Sequence, residues 1–77
     1  MKIELVQTCE ACPEQYEAFH KEKEVGYLRL RHGNFTVECE GKLVYHCYPL
    51  GDGSFNDSER KYYLKKAKKA IKKYYAN

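Results

Sequence analysis

The sequence predicts an α+β protein: an antiparallel four- to five-stranded β-meander followed by one C-terminal amphipathic helix packed on one face. Three observations carry that expectation. Residues 26–31 and 35–40 alternate apolar and polar side chains with period two, and turn-forming residues separate them. Residues 57–76 instead repeat their apolar side chains at helical spacing. The chain has 77 residues, no internal repeat and no linker, so 1–77 is expected to be a single domain with one small core. The sheet is expected within 2–48, a loop over 49–56 and the helix over 57–76.

Residues 2–8 are the weakest strand candidate. Residues 15–20 read as a strand, followed by a polar turn over 21–24 before Val25. Gly26, Leu28 and Leu30 alternate with Tyr27, Arg29 and Arg31, as a half-buried strand requires. A two-residue Gly33-Asn34 turn would pair Leu30 with Val37 and Leu28 with Cys39 inside. The same register would set Arg31 against Thr36 and Arg29 against Glu38 outside. Glu40-Gly41-Lys42 then reads as a three-residue loop, with Cys39 beside Leu43, Val37 beside Tyr45 and Phe35 beside Cys47. Pro49 ends the last strand because it cannot donate to a ladder.

Asn56 is an N-cap with Glu59 at the third helical position, a capping-box arrangement. Tyr63, Leu64, Ala67, Ala70, Ile71, Tyr74 and Tyr75 fall on one stripe roughly 140° wide at about 100° per residue. Seven lysines from Lys61 to Lys73 fill the opposite arc. The stripe must cover something, and the inner face of the sheet is the apolar surface on offer.

Composition narrows the function. Net charge is +3, yet residues 60–77 carry eight basic residues and no acid, while 1–59 hold the other six and all 11 acids. An acidic body with a basic segment points to a polyanionic partner. A helix that complements its own acidic sheet explains the same asymmetry. No apolar run exceeds three residues, so neither a membrane span nor a signal peptide is expected, and the reading is cytoplasmic.

No catalytic residue is expected, since no Ser, Cys and His form a recognisable local triad and so short a chain hardly buries a reaction centre. No cofactor is expected. Cys9 and Cys12 have the spacing of half a zinc site, but the second half is missing. Cys39 and Cys47 would lie about 13 Å apart on neighbouring strands, too far to bridge. Metal binding at Cys9 and Cys12 is therefore the weak alternative to reduced thiols. The 51–57 segment has neither P-loop nor calcium-loop spacing, and a turn plus an N-cap explains every residue in it.

Two surface patches remain as binding candidates. The first is Tyr27, Arg29, Arg31, His46 and Tyr48 on the outer sheet face, joined by Asp52 from the loop. Aromatics with arginine are enriched at interfaces, and for a nucleotide the arginines would hold phosphate while Tyr27 or Tyr48 stacks on the base. The second is Tyr62 projecting among Lys65, Lys66 and Lys69. An aromatic among cations suits nucleic acid, with phosphates on the lysines and a base on the ring.

The runs Cys12-Pro13-Glu14-Gln15-Tyr16, Gly26 through Gly33, Gly51-Asp52-Gly53 and Glu59-Arg60 resemble short uncharacterised phage and prophage proteins of Firmicutes. The resemblance covers nearly the whole chain and brings no activity to any residue. It implies an accessory viral protein in a bacterial host cytoplasm, of a kind that includes inhibitors of host defence. The leading expectation is thus a small non-enzymatic binding protein. Its partner would be a host protein or a small phosphate-bearing ligand such as a nucleotide signal, and the chain would form a homo-oligomer. The alternative is a nucleic-acid-binding module that uses the Lys-rich helix face.

Overall fold

The computed structural model describes residues 1–9, 14–31, 33–49 and 55–76. Five strands, β1 (Glu4–Cys9), β2 (Glu14–His20), β3 (Lys23–Arg31), β4 (Asn34–Cys39) and β5 (Lys42–Cys47), precede one helix, α1 (Asp57–Ala76). The strands pair antiparallel in sequence order, β1-β2-β3-β4-β5, the simplest meander. The helix lies over β3, β4 and β5. The expected fold class and the bounds of the helix are what is observed.

Period-two alternation sorts the sheet into two faces. Tyr16, Ala18, Leu28, Leu30, Phe35, Val37 and Cys39 are buried on the inner face, where α1 adds Ala67 and Ile71. Phe35 sits at the centre. Its ring meets Phe55 edge-on with centroids 5.1 Å apart, and Phe55 in turn stacks on Tyr63 at 5.5 Å. That aromatic column ties sheet, connecting segment and helix together. Gly26 lies where the helix comes closest: a Cβ there would stand 2.9 Å from Ile71 Cδ1 and 3.3 Å from the Glu38 carbonyl oxygen.

Three turns differ from expectation, and backbone geometry explains each. The β3–β4 pairing runs Arg31 with Asn34, Leu30 with Phe35, Arg29 with Thr36, Leu28 with Val37 and Tyr27 with Glu38. The turn thus begins one residue earlier than expected, and Gly33 occupies the second turn position at φ 75. A tight turn that twists with its strands needs positive φ there, which glycine adopts freely. The shift is two residues in register, so every side chain keeps its face. The expected Arg29–Glu38 cross-strand pair is replaced by Arg29–Thr36.

The β4–β5 connection is a two-residue turn, Glu40 and Gly41, both at positive φ, instead of a three-residue loop. Cys39 therefore pairs with Lys42, and a bulge beside Val44 restores the expected Val37–Tyr45 and Phe35–Cys47 pairs. The β2–β3 turn is likewise two residues, Lys21 at φ 50 and Glu22 at φ 68, so the strands extend further than the polar run suggested.

The N-cap forms as expected. Glu59 N–H donates to Asn56 Oδ1 at 2.8 Å, and Asn56 N–H donates back to Glu59 Oε1 at 3.2 Å. Behind the cap lies a buried polar cluster. The Glu14 side chain is fully buried and accepts from Arg60 Nε at 2.9 Å, Arg60 Nη2 at 3.2 Å, Tyr16 Oη at 2.5 Å and Phe55 N–H at 3.1 Å. Arg60 also donates to the Phe55 carbonyl and to Asp57 Oδ1, each at 2.9 Å. One carboxylate thereby fastens the start of β2, the residue ahead of the cap and the first turn of α1.

Candidate functional site

The sheet separates the two candidate patches. Tyr27, Arg29 and Arg31 alternate outward on β3, and the register sets Thr36 beside Arg29 and His46 beside Thr36. The Tyr48 ring meets His46 edge-on at 6.3 Å, and Tyr48 is 73% exposed. Five residues of the first patch thus share the face opposite the helix. Asp52 lies outside the described residues.

That face is not uniformly basic. Glu17 pairs with Tyr27 from β2, and Glu38 pairs with Tyr27 from β4. A hydrogen bond between the carboxyls of Glu17 and Glu24, reinforced by their repulsion, holds Glu17 above the usual carboxyl range. A phosphate brought to Arg29 and Arg31 would meet these carboxylates on the same flat surface. The arrangement suits a mixed-charge protein contact better than an anionic small molecule.

The second patch lies on the other side of the sheet. Tyr62, Lys65, Lys66 and Lys69 line one depression of about 290 Å³, and Lys66 Nζ stands 5.4 Å from the centre of the Tyr62 ring. This cation–π contact holds one lysine against the ring and leaves Tyr62 55% exposed. Helical geometry accounts for the grouping, because residues three and four apart stand one above the other on a helix surface.

Beside it runs a larger groove of about 470 Å³ that sequence reasoning missed. Val44 and Tyr45 of β5 form one wall, and Lys66, Lys69, Lys73 and Tyr74 of α1 form the other. Lys66 and Lys69 line both depressions, so the two are immediate neighbours on the surface. The Tyr62-to-Lys73 stretch spans roughly 16 Å at about 1.5 Å rise per residue. Burial lifts the Tyr45 hydroxyl to about 12, and its contact with Cys47 adds to this, so the ring keeps its proton. The Tyr74 hydroxyl donates to Glu40 Oε1 at 2.8 Å, which fixes one end of the groove. This groove depends on the helix lying alongside the last strand. In the sequence, Val44 and Tyr45 read only as strand residues and Lys73 only as one more solvated lysine.

The thiols show no common chemistry among the described residues. Cys39 is buried and Cys47 partly so; burial raises both thiols and makes them weak nucleophiles at neutral pH. Their register partners, Lys42 and Phe35, keep them well apart along β4. Cys9 pairs with Gln15 at the end of β1, and Cys12 lies outside the described residues. Among the described residues no three His, Cys, Asp or Glu side chains are grouped to hold a metal ion. No described helix is long and apolar enough to cross a membrane.

Compared with known proteins, the chain matches no family model, no curated protein and no solved structure.

Proposed function

We propose that this protein is a non-enzymatic binding module for single-stranded nucleic acid, held along the lysine groove between α1 and β5. The observation that carries the reading is that the two neighbouring depressions share Lys66 and Lys69. Lys65, Lys66, Lys69 and Lys73 line one open track, with an exposed Tyr62 ring at one end and Tyr45 in its wall. A small ligand favours a concave pocket that buries most of its surface. An open track with spaced cations and an aromatic platform suits a polymer instead, with phosphates along the lysines and a base on Tyr62. Lysine without arginine favours phosphate attraction over base readout, so binding should be nearly independent of sequence.

The acidic body stands largely apart from the track, with Glu40 at one end of the groove as the exception. Glu17, Glu24 and Glu38 lie on or at the face opposite α1, with the sheet between them and the track. Within this proposal, the phage-type context that the resemblance implies would make host or viral nucleic acid the ligand.

Fluorescence anisotropy with labelled oligonucleotides tests the proposal. Three to four phosphate contacts predict that affinity for single strands falls about 20- to 50-fold between roughly 50 and 200 mM salt. Lys65→Glu combined with Lys66→Glu and Lys69→Glu should abolish binding, and Tyr62→Ala should weaken it about tenfold. Absence of binding at the lower salt would overturn the reading. Retention of a mononucleotide or cyclic nucleotide without oligonucleotide binding would favour the sequestration of a small signal instead.

A further inference from the structure

The outer face of the sheet is a surface that the groove leaves unused, and its charges are sorted along the strands. Strand register resolves it into successive rows. Glu4, Phe19 and Glu24 share the row at one end, and Val6, Glu17, Tyr27, Glu38 and Leu43 form the next. Beyond them come Gln15, Arg29, Thr36 and His46, then Arg31 beside Asn34. All four carboxylates occupy the first two rows, and both arginines and the histidine occupy the last two. Apolar surface accompanies them: Val6 is 51% and Leu43 54% exposed.

We propose that this face is a two-fold interface between two copies of this chain, packed sheet against sheet. The charge pattern selects the symmetry. A two-fold axis in the plane of the sheet and across the strands inverts the order of rows. Each strand then lies over its counterpart, which sets Glu24 over the partner's Arg31 and Glu17 over the partner's Gln15, one strand away from the partner's Arg29, and the reverse. An axis along the strands would set carboxylates over carboxylates. An interface of this kind is self-complementary, as a closed dimer requires. The crowding of the Glu17 and Glu24 carboxyls in one copy is relieved when a cation of the other copy faces them.

Size is adequate for a reversible dimer. Five strands about 4.8 Å apart, with rows covering about 20 Å, present roughly 480 Å² of flat face per copy. Two copies remove roughly 1,000 Å², near the lower bound for a specific interface, and side-chain relief adds to it. The association should therefore weaken as salt rises. This inference does not rest on nucleic-acid binding, because the lysine track lies on the far side of each sheet and stays open.

Sedimentation equilibrium tests it with two charge-reversed variants. Arg29→Glu with Arg31→Glu should be monomeric alone, and so should Glu17→Lys with Glu24→Lys. Mixed in equal amounts, the two should recover the dimer, which misfolded variants could not do. Circular dichroism of each variant checks the fold independently. A wild-type monomer at low salt and about 100 µM protein, a concentration at which small interfaces of this class associate, would overturn the proposal. So would a dimer whose mass neither variant reduces, since that would place the contact at a strand edge. Two monomeric variants that fail to associate on mixing would overturn the row-inverting symmetry.

Discussion

Glu14 offers the sharpest test of how the fold is held. In Glu14→Ala the Tyr16 hydroxyl and the Phe55 N–H lose a fully buried acceptor, and Arg60 loses two bonds while keeping Asp57 and the Phe55 carbonyl. Each orphaned buried donor costs about 1–3 kcal/mol. Breaking a buried ion pair from one side costs about 3–5 kcal/mol in all. Arg60 keeps a third of its side chain in water, which softens the charge term, so about 3 kcal/mol is expected. A chain of this length has about 4–12 kcal/mol of stability in total. The variant should therefore melt about 12–24 °C lower.

Urea titration followed by far-ultraviolet circular dichroism gives the measurement, with Tyr16→Phe as the smaller control at about 1 kcal/mol. The pH dependence supplies an independent arm. Burial alone would raise the Glu14 carboxyl, but the bonds from Arg60, Tyr16 and the Phe55 N–H outweigh it and hold the group below its ordinary value. A depressed carboxyl stabilises the fold fully above its unfolded value of about 4.3. That contribution disappears as pH falls through the folded value. Glu14→Gln, which cannot titrate, should lose less stability on acidification than the wild type. Equal midpoints for wild type and Glu14→Ala at neutral pH, or parallel acid limbs for wild type and Glu14→Gln, would refute the reasoning.

Other expectations follow from single features. Replacing Lys21 by Asn and Glu22 by Gly gives the β2–β3 turn residues that accept positive φ, and should raise stability by about 1 kcal/mol in thermal melts. Gly26→Val drives a side chain into Ile71 and should cost about 1–3 kcal/mol, with Ile71→Val recovering part of it in the double variant. Asn56→Ala should cost about 1 kcal/mol, and combining it with Glu59→Ala should add less than the sum, since the two bonds form one reciprocal cap.

What the sequence revealed depended on whether the signal was local. The helix was legible to the residue because its cap, its stripe and its lysine arc all sit within one continuous segment. The inner and outer faces of β3 and β4 were legible because alternation assigns faces without needing the register. The register itself was not, because Gly33-Asn34 and His32-Gly33 are both possible turns that put Gly33 at positive φ, and only the Arg31–Asn34 pairing in the folded sheet decides between them. Glu14 was opaque for a different reason. A glutamate immediately after a cysteine-proline step carries no mark of burial until Arg60, 46 positions away, comes to meet it. The lysine track shows both cases at once: Tyr62, Lys65, Lys66 and Lys69 are one helix face, but Val44 and Tyr45 join only through the tertiary placement of α1.

The division of charge is the point at which sequence and structure bear most directly on function. A body with more acids than bases repels phosphate when its charge is taken as one total. The sheet gives part of that total a direction, with Glu4, Glu17, Glu24 and Glu38 on the outer face and the track lysines on the helix side, where Glu40 accepts from Tyr74 at one end of the groove. The track lysines line the groove beside β5 on the helix side, so the sheet itself stands between them and the outer carboxylates. Layers that pack on a sheet lie about 10 Å from it, so those ammonium groups stand more than about one Debye length from the outer carboxylates at physiological salt. Neutralising Glu17 and Glu38 to Gln should accordingly change oligonucleotide affinity less than twofold at that salt. Reversing Lys66 and Lys69 should remove it. A tenfold gain from the outer-face substitutions would show that the sheet does not insulate the track, and the nucleic-acid reading would lose its electrostatic basis.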